Sequence, residues 1–423
     1  MTSTMLADDD LHSSGHDEVA LRTITSCEVC GGQNLQPVID LGLHAMCDDL
    51  VAVGDSRTCA RYPIEILFCA TCLTAHQKYQ VPKAALFPRD YHYRARLTAD
   101  VLDGMRKLVA SIEEHDGAVA RLRVLDIGCN DGSLLSLFAE RGALTHGIEP
   151  TDAALDAHSR GHQVTQAYFG PDVARAFVAE HGQPDVITFT NVFAHIERLD
   201  EVLGALRTLM GTHTRLVIEN HYLGAVIARN QFDTFYHEHP RTYSRRSFEF
   251  VAQSLGCKLS RVEFPSRYGG NIRVVMSRDG AGAADDVFGG VSTNESHLGI
   301  GLQAMAERVA NWRVAMRSTI DSLVAEHGPI RAKAFPGRAA IIVELLQLDA
   351  AQVSAVYEQA ASPKLGHYVP GTRIPIISDA EFDLADTTPV LNFAWHIHLE
   401  IEGYMRRLGF AGRMVPVIPP TGG

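Results

Sequence analysis

The sequence predicts an α/β protein in three parts: a small N-terminal metal-binding module, a central Rossmann-like domain and a C-terminal α/β domain. Three observations carry this reading. Two close cysteine pairs, Cys27/Cys30 and Cys69/Cys72, stand near the N-terminus. The run Arg123-Val-Leu-Asp-Ile-Gly-Cys-Asn-Asp-Gly132 then passes from a β-type stretch through a glycine turn. Beyond it, strand-like and helix-like segments alternate, the pattern of βαβ units.

Size and composition set the outer bounds. A chain of 423 residues with 46% hydrophobic side chains can bury two or three cores. The formal charge of −12, from 38 basic and 50 acidic residues, argues against a nucleic acid polymer as partner. A small anionic ligand, which needs only one or two arginines, stays compatible. The segment 1–18 is polar, with an Asp run at Asp8–Asp10, and no stretch of about 18 apolar residues follows. The expectation is a soluble, cytoplasmic protein that does not engage a membrane. The sequence does not choose between monomer and oligomer.

The first module is expected over residues 20–90. Cys27-Glu-Val-Cys30-Gly-Gly32 is a compact turn, and Cys69-Ala-Thr-Cys72 follows a strand at Ile64–Phe68. Four thiolates suit tetrahedral zinc, and with no open position such a site is structural. Four unrelated core cysteines, or a redox-active Cys-x-x-Cys pair, are the alternatives. Cys47 and Cys59 lack the spacing and read as ordinary thiols.

The central domain is expected over 95–280, opening with a helix at Ala99–Glu113. The strand Val124–Ile127 enters the turn Gly128–Gly132, then the helix Leu134–Phe138. A second strand, Leu144–Ile148, delivers Glu149, a carboxylate placed to accept from ribose hydroxyls. The turn reads Gly-x-x-x-Gly and departs from the dinucleotide pattern Gly-x-Gly-x-x-Gly. It resembles the first motif of S-adenosylmethionine-dependent methyltransferases, which makes Asp126, Gly128, Asn130, Gly132 and Glu149 expected cofactor contacts. The fourth strand, Pro184–Thr190, brings Asn191 and His195 to the ligand edge, with Asn191 on the cofactor. A plain helix-start role is the alternative for His195. The helix Leu199–Leu209 and the strand Thr214–Asn220 follow, placing Glu219 and Asn220 at that edge.

Phe232-Asp-Thr-Phe-Tyr-His-Glu-His-Pro240 is the densest run of titratable and aromatic residues. It has no amphipathic helical pattern and reads as a reactive loop. Metal binding by His237 and His239 is the lesser alternative, since the i, i+4 histidines of a zinc helix are absent. Arg267-Tyr-Gly-Gly-Asn-Ile-Arg273 reads as a turn into the strand Ile272–Met276, with Arg273 facing either a phosphate or solvent.

In this order the motifs resemble the zinc-containing sugar C-methyltransferases that make branched deoxysugars for antibiotics. That resemblance implies S-adenosylmethionine and structural zinc, and methylation of the carbon α to a ketone through an enolate. The substrate it implies is a small molecule, a nucleotide-linked keto-deoxysugar. For the enolate step His239 is the candidate base, an imidazole able to accept a proton at pH 7, and Tyr236 the donor to the enolate oxygen. The resemblance adds Glu238 as their positioner and His195 and Tyr91 at the substrate or its carbonyl. Substrate contacts carry over to Tyr93, Tyr268, Arg273, Lys364 and His396, and Asn220, at the end of strand five, is a further candidate. A helical connector is expected over 281–329, its helix at Gly299–Glu326, and a C-terminal substrate domain over 330–423. The glycine turn of the family's C-terminal domain is missing, replaced by Arg338–Leu346. The alternatives are C-, O- or N-methylation of a small metabolite such as a 2-keto acid, and a non-catalytic zinc protein that binds S-adenosylmethionine.

Overall fold

The computed structural model describes residues 19–91, 93–97, 99–279 and 292–419. The Asp8–Asp10 run and the glycines at 280–290 lie outside the described residues. Three sheets organise the chain. The central one has seven strands, in the spatial order Lys258–Glu263, Asn271–Ser277, Arg215–His221, Val186–Thr190, Arg123–Ile127, Leu144–Ile148 and Gln163–Thr165. Asn271–Ser277 runs antiparallel to both its neighbours, and the other pairings are parallel. Val124, Leu125, Val186, Ile187, Leu216 and Ile218 are fully buried. Such uninterrupted apolar runs are what a parallel strand needs when helices cover both faces.

The N-terminal sheet holds Leu35–Ala45, Arg61–Cys69 and Thr74–Gln77, and its fourth strand comes from far along the chain. Arg241–Thr242 pairs antiparallel with His76 and Ala75. The loop expected after Phe232 thus ends in a two-residue strand, which Pro240 concealed in the sequence.

The C-terminal sheet has five parallel strands in the order Ile376–Ser378, Val353–Glu358, Ile330–Lys333, Val390–Asn392, Met414–Pro416. Strand order reverses between Ile330–Lys333 and Val390–Asn392, the place where open α/β sheets form a ligand crevice. Between the sheets lies a 30-residue helix, Leu298–His327. Leu302, Met305, Val309, Trp312, Met316 and Ile320 form its buried stripe, at three- and four-residue steps. The stripe joins Ile64, Ile66 and Phe68 of the N-terminal sheet to Ile330, Ile342 and Val356 of the C-terminal one in a single core. The Trp312 indole donates to the Val417 carbonyl at 2.7 Å. No helix among the described residues is long and apolar enough to cross a membrane.

Where the glycine turn was missed, the backbone still turns. Ala334 adopts φ +62° between the strand Ile330–Lys333 and the helix Ala339–Leu345, a left-handed conformation that glycine reaches more cheaply.

Candidate active site and metal centre

The metal centre forms because two turns meet across the end of one strand. Cys27 and Cys72 sulfurs lie 3.3 Å apart, Cys30 and Cys69 sulfurs 3.6 Å, and all four fall within 4.8 Å of one another. Tetrahedral zinc with bonds of about 2.3 Å sets sulfurs about 3.8 Å apart, so the set fits that ion. A Cβ on Gly32 would stand 3.4 Å from the Cys30 sulfur, which shows how tightly the turn wraps its ligands. His76 Nε2 lies 3.3 Å from the Cys27 sulfur, and burial lowers the His76 pKa to about 4. A neutral imidazole there can donate to the thiolate without adding charge.

This centre is tied to the reactive loop. Glu28, between Cys27 and Cys30, pairs with the fully buried Arg241 guanidinium. Gln77 N donates to the Pro240 carbonyl at 2.8 Å and Gln77 Nε2 to the Tyr236 carbonyl at 3.1 Å. His237 Nε2 lies 3.1 Å from the Tyr62 carbonyl, and Ser247 Oγ donates to the Cys72 carbonyl at 3.1 Å. His237 is therefore an anchor of the loop, facing a carbonyl of the N-terminal sheet.

At the cofactor edge the turn after Ile127 needs both its glycines. Gly128 has φ +71° and Gly132 φ +75°; a Cβ would come within 2.7 Å of Val192 in the first and 2.9 Å of Ala157 in the second. Glu149 is buried, its carboxylate accepting from Asn130 N at 3.0 Å and from Thr151 N at 2.9 Å. Its Oε2, with one bond, keeps a lone pair for a ribose hydroxyl. Asp126 sits beneath the turn, accepting from Thr188 Oγ1 at 2.6 Å; burial raises its pKa to about 7. The Asn130 side chain holds the preceding segment, accepting from Ala95 N at 2.9 Å and donating to the Tyr93 carbonyl at 3.1 Å. Tyr93 itself is exposed.

Asn191 takes φ +55° past the fourth strand. Beside it, Thr190 Oγ1 and both side-chain atoms of Asn220 are buried without hydrogen-bond partners among the described residues. Buried polar atoms are nearly always paired, so these mark the floor of a ligand site. S-adenosylmethionine, with its ribose, amine and carboxylate, has the groups to satisfy them. We expect Gly128→Ala to weaken binding of S-adenosylmethionine at least tenfold in calorimetry, because the added methyl meets Val192 and the backbone is strained.

The reactive loop delivers His239 beneath this edge. Its Nδ1 lies 2.9 Å from the Thr234 carbonyl, which fixes the proton there and leaves Nε2 as the basic atom. The Tyr236 hydroxyl donates to that Nε2 at 3.1 Å. The His195 and His221 rings lie 4.7 and 5.5 Å from the His239 ring. His195 Nδ1 is 2.7 Å from the Glu238 carbonyl. Burial first, then the neighbouring imidazoles, hold the His239 pKa well below its ordinary value, so the ring is neutral at pH 7. Burial also raises the Tyr236 pKa, keeping the phenol protonated.

Glu238 faces the other way. It joins Tyr91, Met46, Asp48, Leu86 and Pro88 around a cavity of about 410 Å³ between the N-terminal module and the C-terminal domain. Burial, followed by the Asp48 charge, raises its pKa well above the carboxylate range. Lys364 Nζ lies 3.6 Å from Asp48 and donates to the Phe335 carbonyl at 3.2 Å. His396 sits beside Trp395, its Nδ1 buried without a partner among the described residues. The Tyr268 side chain lies outside the described atoms.

Arg273 differs from its expected role. Its Nε and Nη2 both reach Glu219 Oε2 at 2.7 Å, and its Nη1 reaches Glu263 at 2.7 Å. Strand register sets Arg273 opposite both carboxylates, so the whole guanidinium is used inside the sheet. Neither a phosphate nor solvent is its partner. Arg273→Met is expected to lower thermal stability by about 1–3 kcal/mol with no change in substrate KM, since the buried Glu219 loses its nearest cation and keeps only Arg267 at 3.4 Å and Asn271 at 3.0 Å. Sequence reasoning also passed over His221 and Arg338, whose isolated positions carry no motif; only the fold brings them to His239.

The chain matches a methyltransferase domain over residues 92–262, a "Putative zinc binding domain" over 27–87 and a "C-methyltransferase C-terminal domain" over 266–419. It is 26% identical over 409 residues to the C-methyltransferase NovU of Streptomyces niveus, spanning 94% of this chain and 96% of that protein. Taken together, these matches run along residues 27–419 in the order of a zinc-containing C-methyltransferase, which the chain resembles. The chain is a methyltransferase that depends on S-adenosylmethionine and carries zinc on its four-cysteine centre. A ubiquinone biosynthesis O-methyltransferase of Acinetobacter baylyi is 31% identical over 103 residues, 23% of this chain and 43% of that protein. Among solved structures, the PH0226 protein of Pyrococcus horikoshii aligns at 16% identity with TM-score 0.36, over 46% of this chain and 97% of its own. A magnesium protoporphyrin IX methyltransferase from Synechocystis, solved with bound SAM, aligns at 16% identity with TM-score 0.33, over 43% and 80%.

Proposed function

We propose that this C-methyltransferase acts on the carbon α to a ketone through an enolate, and that the ketone is a nucleotide-linked keto-deoxysugar of secondary metabolism. The observation that carries the mechanism is the state of His239: neutral, its Nδ1 proton committed to Thr234, and its Nε2 lone pair available. An α-carbon presented to Nε2 displaces the Tyr236 hydroxyl, which then turns to the carbonyl oxygen. His239 takes the α-proton, and the resulting enolate carbon is the nucleophile. S-adenosylmethionine supplies the electrophilic methyl group. His239 is buried and Tyr236, His195 and His221 are partly buried around it, which limits the water able to reprotonate the carbon. Glu238 and Tyr91 border the adjoining cavity, where the rest of the sugar would lie.

The five-stranded parallel sheet supports a nucleotide at its switch point. One observation favours a smaller ketone instead. Lys333 Nζ bridges both Asp379 oxygens at 2.8 and 2.9 Å and the Tyr357 carbonyl at 3.2 Å, across the very ends of three strands in that sheet. Incubation with methyl-labelled S-adenosylmethionine and a pool of keto-sugar nucleotides and 2-keto acids tests the choice by mass spectrometry. Label in a sugar nucleotide supports the first reading. Label confined to a keto acid replaces it with the second.

A further inference from the structure

Arg338 opens the helix Ala339–Leu345, and its side chain is nine-tenths buried. Three neighbours fix the plane of its guanidinium. Nε lies 3.3 Å from Asp233 Oδ2, Nη1 donates to Thr234 Oγ1 at 3.3 Å, and the group stands 5.4 Å over the Trp395 ring. Trp395 is fixed in turn, its indole donating to the same Asp233 oxygen at 2.8 Å. The remaining nitrogen, Nη2, is buried and has no hydrogen-bond partner among the described residues. A held arginine with one idle buried donor is poised for a ligand.

Thr234 links this arginine to the base. Its hydroxyl accepts from Arg338 while its carbonyl holds the His239 ring at 2.9 Å. Charge then decides the use. A fixed cation beside His239 opposes formation of an imidazolium. It assists proton removal only where new negative charge gathers within its reach. In enolisation that charge appears on the ketone oxygen, two bonds from the carbon that loses its proton.

We infer that Arg338 is a catalytic electrophile of this site, donating from Nη2 to the substrate's ketone oxygen. The inference rests on the enolate reading above and adds a residue from the C-terminal domain to it. As the α C–H bond breaks, its proton passes to His239 Nε2. Its electron pair becomes the carbon–carbon π bond, and the carbonyl π pair moves to the oxygen held by Arg338. On methylation the oxygen pair re-forms the carbonyl and the enolate π pair forms the new C–C bond. The methyl–sulfur bond breaks with its pair kept on sulfur, which becomes a neutral thioether. The imidazolium then returns its proton to solvent.

The test is α-proton exchange into D2O without any methyl donor, followed by NMR on a thymidine-diphosphate-linked 4-keto-6-deoxyhexose and on pyruvate. Arg338→Gln and Arg338→Lys are compared with wild type, and Asp233→Asn/Arg338→Gln removes both buried charges should the single change unfold the chain. The expected result is a fall in the maximal exchange rate of on the order of 100-fold for Arg338→Gln, with KM moved less than threefold and calorimetric affinity for S-adenosylmethionine unchanged. A raised KM with an intact maximal rate would mean a mere anchor and overturns the inference. So does wild-type exchange in the folded variants. Absence of exchange by the wild-type enzyme on both ketones overturns the enolate reading, and the inference falls with it.

Discussion

Replacing His239 by alanine is expected to abolish methyl transfer, by about 100-fold to 10,000-fold, while leaving S-adenosylmethionine bound with wild-type affinity. The base is lost, yet the cofactor turn at Gly128–Gly132 and the Glu149 carboxylate are untouched. The measurement pairs single-turnover rates with calorimetric affinity for the methyl donor. His239→Asn should do the same, because an amide can accept from Tyr236 but cannot take a carbon-bound proton. The pH profile carries the matching signature. His239 is held neutral by burial and by His195 and His221, so its folded pKa lies below 6.5. The active form is the unprotonated one, so the rate should be flat through neutrality. It should fall only as pH drops below 6.5 toward that depressed value. A rate that already declines between pH 8 and 7 would point to another base.

Removing the zinc is expected to cost both stability and catalysis, although the metal lies outside the chemistry. Structural zinc in small modules contributes about 10–16 kcal/mol of apparent binding energy at neutral pH, and here it would tie the Cys27/Cys30 turn to the Cys69/Cys72 turn. Here the loss travels further. The thiolate turn carries Glu28, Glu28 pairs with Arg241, and Arg241 opens the strand Arg241–Thr242 two residues after His239. Chelation should therefore raise hydrogen–deuterium exchange over residues 236–247 as well as over 27–77. Glu28→Gln isolates the link without disturbing a sulfur. It strands a buried arginine charge, so thermal stability should fall by about 3–5 kcal/mol with the zinc content unchanged. Unaltered protection of residues 236–247 after chelation would show that the loop stands without the metal.

Much of the central sheet was legible because its strands obey local rules. Val124–Ile127 and Val186–Thr190 are short, mostly apolar runs bounded by turns, and the helix Leu298–His327 announced itself by its apolar stripe. What escaped was set by distant parts of the chain. Arg241–Thr242 is a strand only because Thr74–Gln77 offers it an edge. Arg273 looked free for a phosphate because nothing in its neighbourhood reveals that Glu219 and Glu263 flank it in register. Arg338 stood in a segment notable for a missing glycine, and its place beside Thr234 comes from the docking of the C-terminal domain. The Cys27, Cys30, Cys69 and Cys72 spacing was readable because a metal demands it locally; the use of that module as a brace for the reactive loop was not.

The most direct test of carbon methylation through an enolate is to run the reaction with 13C-methyl S-adenosylmethionine and read the product by 13C NMR. The account predicts a methyl signal coupled to the carbon next to the ketone, with the α-proton of that carbon gone. A labelled methyl at an oxygen or nitrogen shift, with the α-proton retained, would contradict it.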